Sequence, residues 1–324
     1  MIIEITNDNI QDAVNLWCNS CTREEAEQNY GGPIGNWDVS NVTKMDYLFS
    51  NKYDFNEDIS KWNTSNVTSM KGMFREACAF NQPIGRWDVS NVTRMDCMFA
   101  GGTVNIYDNL QYCTHFNQPL DQWNVSNVTS MSGMFLLNLS FNQPISGPDG
   151  WDVSKVKNMD YMFAGVAPYY CTRFNQPLDQ WIVSNVTSMD YMFAANREFN
   201  QPICMWDMSK VISMRGMFYE SFKFNQPLNI PPPTSVDAIV DTYAMVENAI
   251  QWNQPIQPYY FILEDPYQFT TTLSFFCMFL EFIGGYLYVC EDNEDDLTKE
   301  EKWIRECFTN VSEHVAVYPI YKYL

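Results

Sequence analysis

The sequence predicts an α/β repeat solenoid: one parallel sheet of short strands, short helical or 3-10 segments opposite it, and a helical cap at each end. Three observations carry this. The tryptophans Trp37, Trp62, Trp87, Trp123, Trp151, Trp181 and Trp206 follow one another at 25, 25, 36, 28, 30 and 25 residues, so the underlying period is 25. Each opens nearly the same phrase, with a Val two residues on, a second Val, a Met, a Met-Phe pair and then Phe-Asn-Gln-Pro. A hydrophobic content of 46% with 16% aromatics supplies a packed interior and argues against disorder.

Within one unit, Phe80 to Phe99, Trp87 and Val89 lie two apart, the spacing of one face of a short strand, with Asp88 pointing the other way. Val92, Met95, Met98 and Phe99 follow at spacings of three, three and one, which suits a turn of α or 3-10 helix. Each coil is expected to run strand, turn, short helix and return, with neighbouring strands at about 4.8 Å. The seven tryptophans are then structural core.

The repeated polar residues also need a reason. Ser-Asn recurs as Ser40-Asn41, Ser65-Asn66, Ser90-Asn91, Ser126-Asn127 and Ser184-Asn185, where the chain leaves the expected strand. Asn carries both donor and acceptor, so it is expected to satisfy the turn and to bond to the equivalent Asn one coil away. Lys155 and Lys210 replace it in two units and are expected to interrupt that ladder. Asn-Gln-Pro forms the other corner, with Pro fixing φ. Asp38, Asp88, Asp152 and Asp207 stand singly, one per coil. Calcium needs several converging oxygens, so they read as turn residues. The Asn-x-Ser/Thr sites arise from the repeat itself.

The wording Trp-Asp-Val-Ser-Asn-Val-Thr-x-Met-x-x-Met-Phe with Phe-Asn-Gln-Pro resembles the repeats of the BspA-type leucine-rich-repeat surface-protein family, over about residues 30 to 228. Leu16-Trp17, Arg23-Glu24-Glu25-Ala26 and Tyr30-Gly31 look like the helical leader before such repeats in proteins of algae and large DNA viruses. The resemblance implies a leucine-rich-repeat-like stack and non-enzymatic members that serve as adhesive or interaction surfaces.

Four regions follow. Residues 1–32 form a helical N-terminal cap, with Ile10, Ala13, Val14 and Trp17 at helical spacing, a capping box of Thr22 with Glu25, and a stop at Gly31. Residues 33–228 hold the seven regular repeats. Residues 229–290 hold degenerate repeats: an eighth on Val236, Ile239, Thr242, Met245, Val246 and Trp252, and a ninth on Tyr267, Phe269, Phe275 and Met278-Phe279. Residues 291–324 form an acidic segment and a capping helix with the stripe Trp303, Ile304, Cys307, Phe308 and Val311. Residues 269–290 carry Glu281 as their only charge, which is long enough for a membrane span, but three threonines and the retained repeat offsets favour a core segment.

Insertions mark where function sits on a rigid repeat scaffold. The third unit gains eleven residues between Phe99 and Phe116, and the fifth gains five between Phe163 and Phe174, both on the same edge. Tyr107 and Tyr112 in one, with Tyr169 and Tyr170 in the other, are the candidate interaction residues, because tyrosine offers contact area with few rotatable bonds.

Formal net charge is −20, from 39 acidic against 19 basic residues. Such a field repels phosphate backbones, so nucleic acid is not an expected partner. Only His115 and His314 are present, and neither belongs to a catalytic, metal-ligating or phosphate-cradling pattern. No cofactor, metal or small-molecule substrate is expected. The ten cysteines keep no place in the repeat and read as free thiols, and Cys18 with Cys21 lacks a second pair. No secretory signal is visible, which places the chain in the cytoplasm or a virion. The expected function is a non-enzymatic protein-interaction or structural scaffold module whose partners are other proteins, a capsid-associated component being one concrete version. The alternative is a carbohydrate- or host-surface-binding module that uses the tyrosine loops.

Overall fold

The computed structural model describes residues 2–101, 114–146, 150–167, 169–230 and 240–254. The chain divides into two contact units, Met1–Pro231 with Ala244–Pro255, and Pro232–Tyr243 with Ile256–Leu324. Among the described residues there are two α-helices, α1 (Ile10–Cys18) and α2 (Arg23–Tyr30), one short 3-10 turn at Ile34–Asn36, and no β-strand. The expected parallel-sheet solenoid with helical segments opposite the sheet is therefore wrong. The expected ninth unit, the 269–290 segment and the C-terminal helix lie outside the described residues.

What joins successive repeats is a ladder in the Met-x-x-Met-Phe segment. The N–H groups of Met70, Gly72, Phe74 and Glu76 donate to the carbonyls of Arg94, Asp96, Met98 and Ala100 in the next coil, at 3.1, 2.7, 2.9 and 2.8 Å. The alternate N–H groups turn back. Those of Met73, Arg75 and Ala77 meet Met70, Gly72 and Phe74, three residues earlier, at 3.2, 3.0 and 3.0 Å. Carbonyls divide the same way, so the donors and acceptors of this buried run are accounted for. A left-handed residue sits two after the first Met in every regular unit: Tyr47 (φ 57°), Gly72 (57°), Cys97 (53°), Gly133 (60°), Tyr161 (56°), Tyr191 (53°) and Gly216 (52°). That conformation breaks any right-handed helix, which is why spacings of three produced linked turns instead.

The Trp-x-Val phrase is not a paired strand either. The Trp87 N–H meets Ile84 O at 3.1 Å and the Val92 N–H meets Val89 O at 2.9 Å, both closing turns within the coil. Parallel bridging runs along the residue before each first Met, Lys44, Ser69, Arg94, Ser130, Asn158, Ser188 and Ser213, with one more bridge between Thr172 and Asn196, and all of these are isolated bridges. Two apolar side chains two residues apart report only that both point inward. They do not report which backbone groups face the neighbouring coil.

The interior is a lattice of rings. The Phe of each Met-Phe pair stacks on its successor: Phe49–Phe74 at 5.4 Å, Phe74–Phe99 at 5.6 Å and Phe99–Phe135 at 5.6 Å between centroids. The Phe of Phe-Asn-Gln-Pro forms a second file, tied to the first at about van der Waals contact, as in Phe135–Phe141 at 3.8 Å. The tryptophans form a third, with Trp123–Trp151 at 6.4 Å and Trp181–Trp206 at 6.5 Å. All seven are buried, and each indole N–H of Trp62, Trp87 and Trp123 donates to a carbonyl of the preceding coil, those of Ile34, Ile59 and Ile84. Each ring thus buries large apolar area while its polar atom stays satisfied.

The corners differ from expectation in a way that concerns Asn. At Ser-Asn, the amide donates to the preceding coil's Ser carbonyl, as in Asn66 to Ser40 and Asn91 to Ser65, both at 2.8 Å, not to the equivalent Asn. Lys155 and Lys210 do not interrupt the row. Their ammonium groups reach the Oδ1 of Asn127 and Asn185, each at 2.7 Å. The Asn-to-Asn ladder lies at Phe-Asn-Gln-Pro, where each Asn backbone N–H donates to the preceding Asn Oδ1: Asn81 to Asn56 at 2.9 Å, Asn117 to Asn81 at 2.9 Å, and on through Asn225 to Asn200 at 2.9 Å.

At the N-terminal end, α1 buries Ile10, Ala13, Val14 and Trp17, and Trp17 meets Trp37 edge-on at 5.9 Å. Gly31, at φ 84°, ends α2. The expected Thr22–Glu25 capping box is absent, because the Thr22 hydroxyl donates to Leu16 O at 2.8 Å instead. Cys78 is disulfide-bonded, contrary to the free-thiol expectation, whereas Cys18, Cys21, Cys97, Cys171 and Cys204 keep their thiols outside any disulfide.

Candidate interaction edge

The second insertion is built as a pinned hairpin. Gly165 starts it, and a Cβ there would collide with the Tyr170 carbonyl, so only glycine fits. Val166 and Tyr170 then exchange both backbone hydrogen bonds, at 2.9 and 2.8 Å, as an isolated antiparallel bridge. The return is anchored by Thr172, which is buried and donates its hydroxyl to Phe163 O at 2.6 Å. These constraints leave Tyr169 82% exposed and Val166 49% exposed. The Tyr169 and Tyr170 rings stand edge to face, 6.4 Å apart at 67°.

Beside the hairpin run the residues one and two places before the second Phe of each later unit. The Arg197 N–H donates to Thr172 O at 3.0 Å, which sets this coil against the hairpin's return, and Asn196 Oδ1 accepts the N–H groups of Glu198 and Phe199 at 3.2 Å each. The Arg197 guanidinium lies 5.4 Å from the Phe222 ring centre, a cation–π contact. Lys223 Nζ pairs with Glu198 Oε2 at 2.5 Å. Arg173 is exposed, and Ile250, in the same row two coils on from Arg197, is 76% exposed. Aromatic, arginine and apolar side chains on one rigid edge match the composition of protein-binding patches. Burial pushes the Cys171 thiol up, with Arg197 opposing it.

Of the residues singled out from sequence, Tyr169 and Tyr170 lie in this hairpin, Tyr107 and Tyr112 fall outside the described residues, and the seven tryptophans are interior. Arg173, Arg197, Phe222, Lys223 and Ile250 were missed. Aligning the units on their second Phe would have found them, because the residues just before it share the insertions' edge.

The aspartate row does turn chemistry. Asp38, Asp88, Asp152 and Asp207 each accept the N–H of the serine two residues on, at 3.0 Å. Side-chain and backbone hydrogen bonds from that serine hold each carboxyl below its ordinary range. Among the described residues no group of His, Cys, Asp and Glu is placed to share a metal ion. A shallow cleft of about 230 Å³, lined by Pro33, Gly35, Glu57, Asp58 and Lys61 among others, is below the usual range for small-molecule sites and holds none of the candidate interaction residues. Among the described residues no helix is long and apolar enough to cross a membrane.

These features define a repeat protein whose 25-residue units are joined turn to turn. The chain belongs to the family described as Mycoplasma protein of unknown function, DUF285, whose model matches residues 19–105, 103–170 and 151–259. Neither a curated protein nor a solved structure matches it.

Proposed function

We propose that the chain is a non-enzymatic protein-interaction module, a scaffold that offers the Tyr169 edge to other proteins. The observation that carries this is Tyr169 itself: a large side chain 82% exposed on a hairpin whose backbone is pinned from both sides. Holding an aromatic in water on a rigid support lowers the entropy lost when a partner covers it. The resemblance to BspA-type repeats supports an interaction role, and their relatives in large DNA viruses make a virion-associated layer the setting to examine first. The edge-to-face tyrosines offer no shared flat surface for a sugar ring, which favours a protein partner over a glycan.

Placing a photo-cross-linking residue at Tyr169 in the full chain, expressed in its native setting, tests this. One or a few proteins captured at Tyr169, and not at the exposed Ile2, support it. No capture at Tyr169 above that at Ile2 contradicts it.

A further inference from the structure

We propose that Tyr161, backed by Tyr191, receives a lysine or arginine side chain of a basic partner protein. The site uses no residue of the Tyr169 hairpin, so it stands independently of that edge. In the row of left-handed residues, Tyr191 lies over Gly216 of the next coil, where a Cβ would come within 2.3 Å of its ring. Tyr161 in turn lies on Tyr191, with centroids 5.1 Å apart and planes 9° from parallel. Gly216 thus seats a two-ring stack that is already ordered before a partner arrives. Tyr161, at the outer end, is 42% exposed, and among the described residues no other ring and no cation lies over it.

The equivalent residue of the first coil shows what such a ring takes. Asp46, before Tyr47, accepts from the Ser69 hydroxyl and the Lys71 N–H, and Asp160, before Tyr161, accepts from the Ser188 hydroxyl and the Asp190 N–H. The two sites therefore share one backbone frame. At the first, Lys71 Nζ stands 5.7 Å from the Tyr47 ring centre, a cation–π contact made within the chain. At the second, Asp190 occupies the place of Lys71, so a carboxylate stands where the first coil supplies a cation. Asp160 makes no ion pair with any described residue, and its other oxygen accepts from the neutral Asn158 amide at 2.8 Å. Burial, then Tyr191, Asp190 and Asp160, push the Tyr161 phenol up, and Arg215, two coils on, opposes them. An incoming cation would meet the open ring face and the Asp160 charge together. The overall charge of −20 speeds its arrival.

The same net charge draws basic peptides to many places, so the comparison is between variants of equal charge. A fluorescent tetra-arginine peptide is titrated into the full chain and its Tyr161→Gly, Tyr161→Phe and Tyr169→Ala variants, with a tetra-glutamine peptide as the neutral probe and thermal melting run on each. Glycine is chosen because Gly72, Gly133 and Gly216 already hold this place in other coils. The expected result is saturable binding to the parent, weakened about fivefold by Tyr161→Gly and unchanged in Tyr161→Phe, which keeps the ring face. Tyr169→Ala should bind as the parent does, and tetra-glutamine should bind far more weakly. Equal tetra-arginine binding by the parent and Tyr161→Gly overturns the proposal, as does equal binding of the two peptides by the parent. Either result leaves the reading of the Tyr169 edge intact.

Discussion

Asn7 Oδ1 accepts the backbone N–H of Thr43 at 2.9 Å, taking the place that the Thr43 carbonyl takes for Thr68 one coil later, at 2.8 Å. Glu4 imitates the previous coil in the same way, its Oε1 accepting from Asn41 where the Ser40 carbonyl accepts from Asn66. The N-terminal segment is thus a coil made of side-chain oxygens. It satisfies the first repeat's donors with side-chain oxygens where later coils use backbone carbonyls.

Asn7→Ala should lower stability by about 1–2 kcal/mol, because Asn7 also accepts from the Lys44 N–H and donates to the Thr43 hydroxyl. The urea midpoint should fall with an unchanged slope, and amide exchange should quicken first at Thr43 and Lys44. An unchanged midpoint would mean that water replaces the side chain at no cost.

Trp123→Ala should cost about 3–5 kcal/mol, since it opens a cavity between Phe99 at 6.2 Å and Trp151 at 6.4 Å. Denaturant unfolding measures this. A variant that melts like the parent would show that the tryptophan file does not support the stack.

Gly72→Ala should cost about 1–3 kcal/mol from two causes. Its φ is +57°, and a Cβ would lie 2.5 Å from Cδ1 and Cε1 of Tyr47, whose ring covers it from the coil before. Combining it with Tyr47→Ala should recover the clash and leave the backbone term, so a double-mutant cycle should show strong coupling. Simple additivity would remove the ring contact from the explanation.

Acid should weaken the fold through the aspartate row. The carboxyls of Asp38, Asp58, Asp88 and Asp152 sit below the ordinary value of 3.8 because of the serine two residues on. A carboxyl depressed in the folded state contributes stability above its unfolded value and loses it as pH falls through the lower, folded one. The urea midpoint should therefore begin to drop as pH falls below about 4 and keep falling until the depressed, folded-state carboxyls are protonated. Asn63 and Asn124 already make the same turn without titrating, each accepting from a serine at 3.2 Å. Replacing the row by Asn should accordingly flatten the acid limb while keeping neutral stability. An unaltered acid limb would place its cause elsewhere.

The repeat, its period and its interior were legible in the sequence, because burial of Trp, Val, Met and Phe at fixed offsets leaves a direct mark on residue type. Backbone partnership leaves no such mark. Trp87 and Val89 read as a strand, whereas the intercoil bonds belong to Met95, Cys97 and Phe99, which lie in the stretch that the apolar spacing of Val92, Met95, Met98 and Phe99 made look helical. Left-handed backbone at Gly72, Gly133 and Gly216 was a usable clue, but Tyr47, Tyr161 and Tyr191 adopt it too and hid the pattern. At the edge, the insertion drew attention to Tyr169 and Tyr170. Arg173, Arg197 and Phe222 lie in ordinary repeat positions and become a group only once neighbouring coils are set side by side. Lys155 misled for a related reason, since its ammonium keeps the coils joined through Asn127 Oδ1, whereas the amide it replaces donates to the preceding coil's Ser carbonyl in other units.

Residue-resolved amide hydrogen exchange tests the central claim most directly, that turn segments and not Trp-x-Val strands join the coils. Met95, Cys97 and Phe99, which donate to Ser130, Ser132 and Met134 at 3.1, 2.8 and 2.9 Å, should be among the slowest amides, while Asp88 and Val89 exchange far faster. Slow exchange at Asp88 and Val89 with rapid exchange at Met95, Cys97 and Phe99 would contradict it.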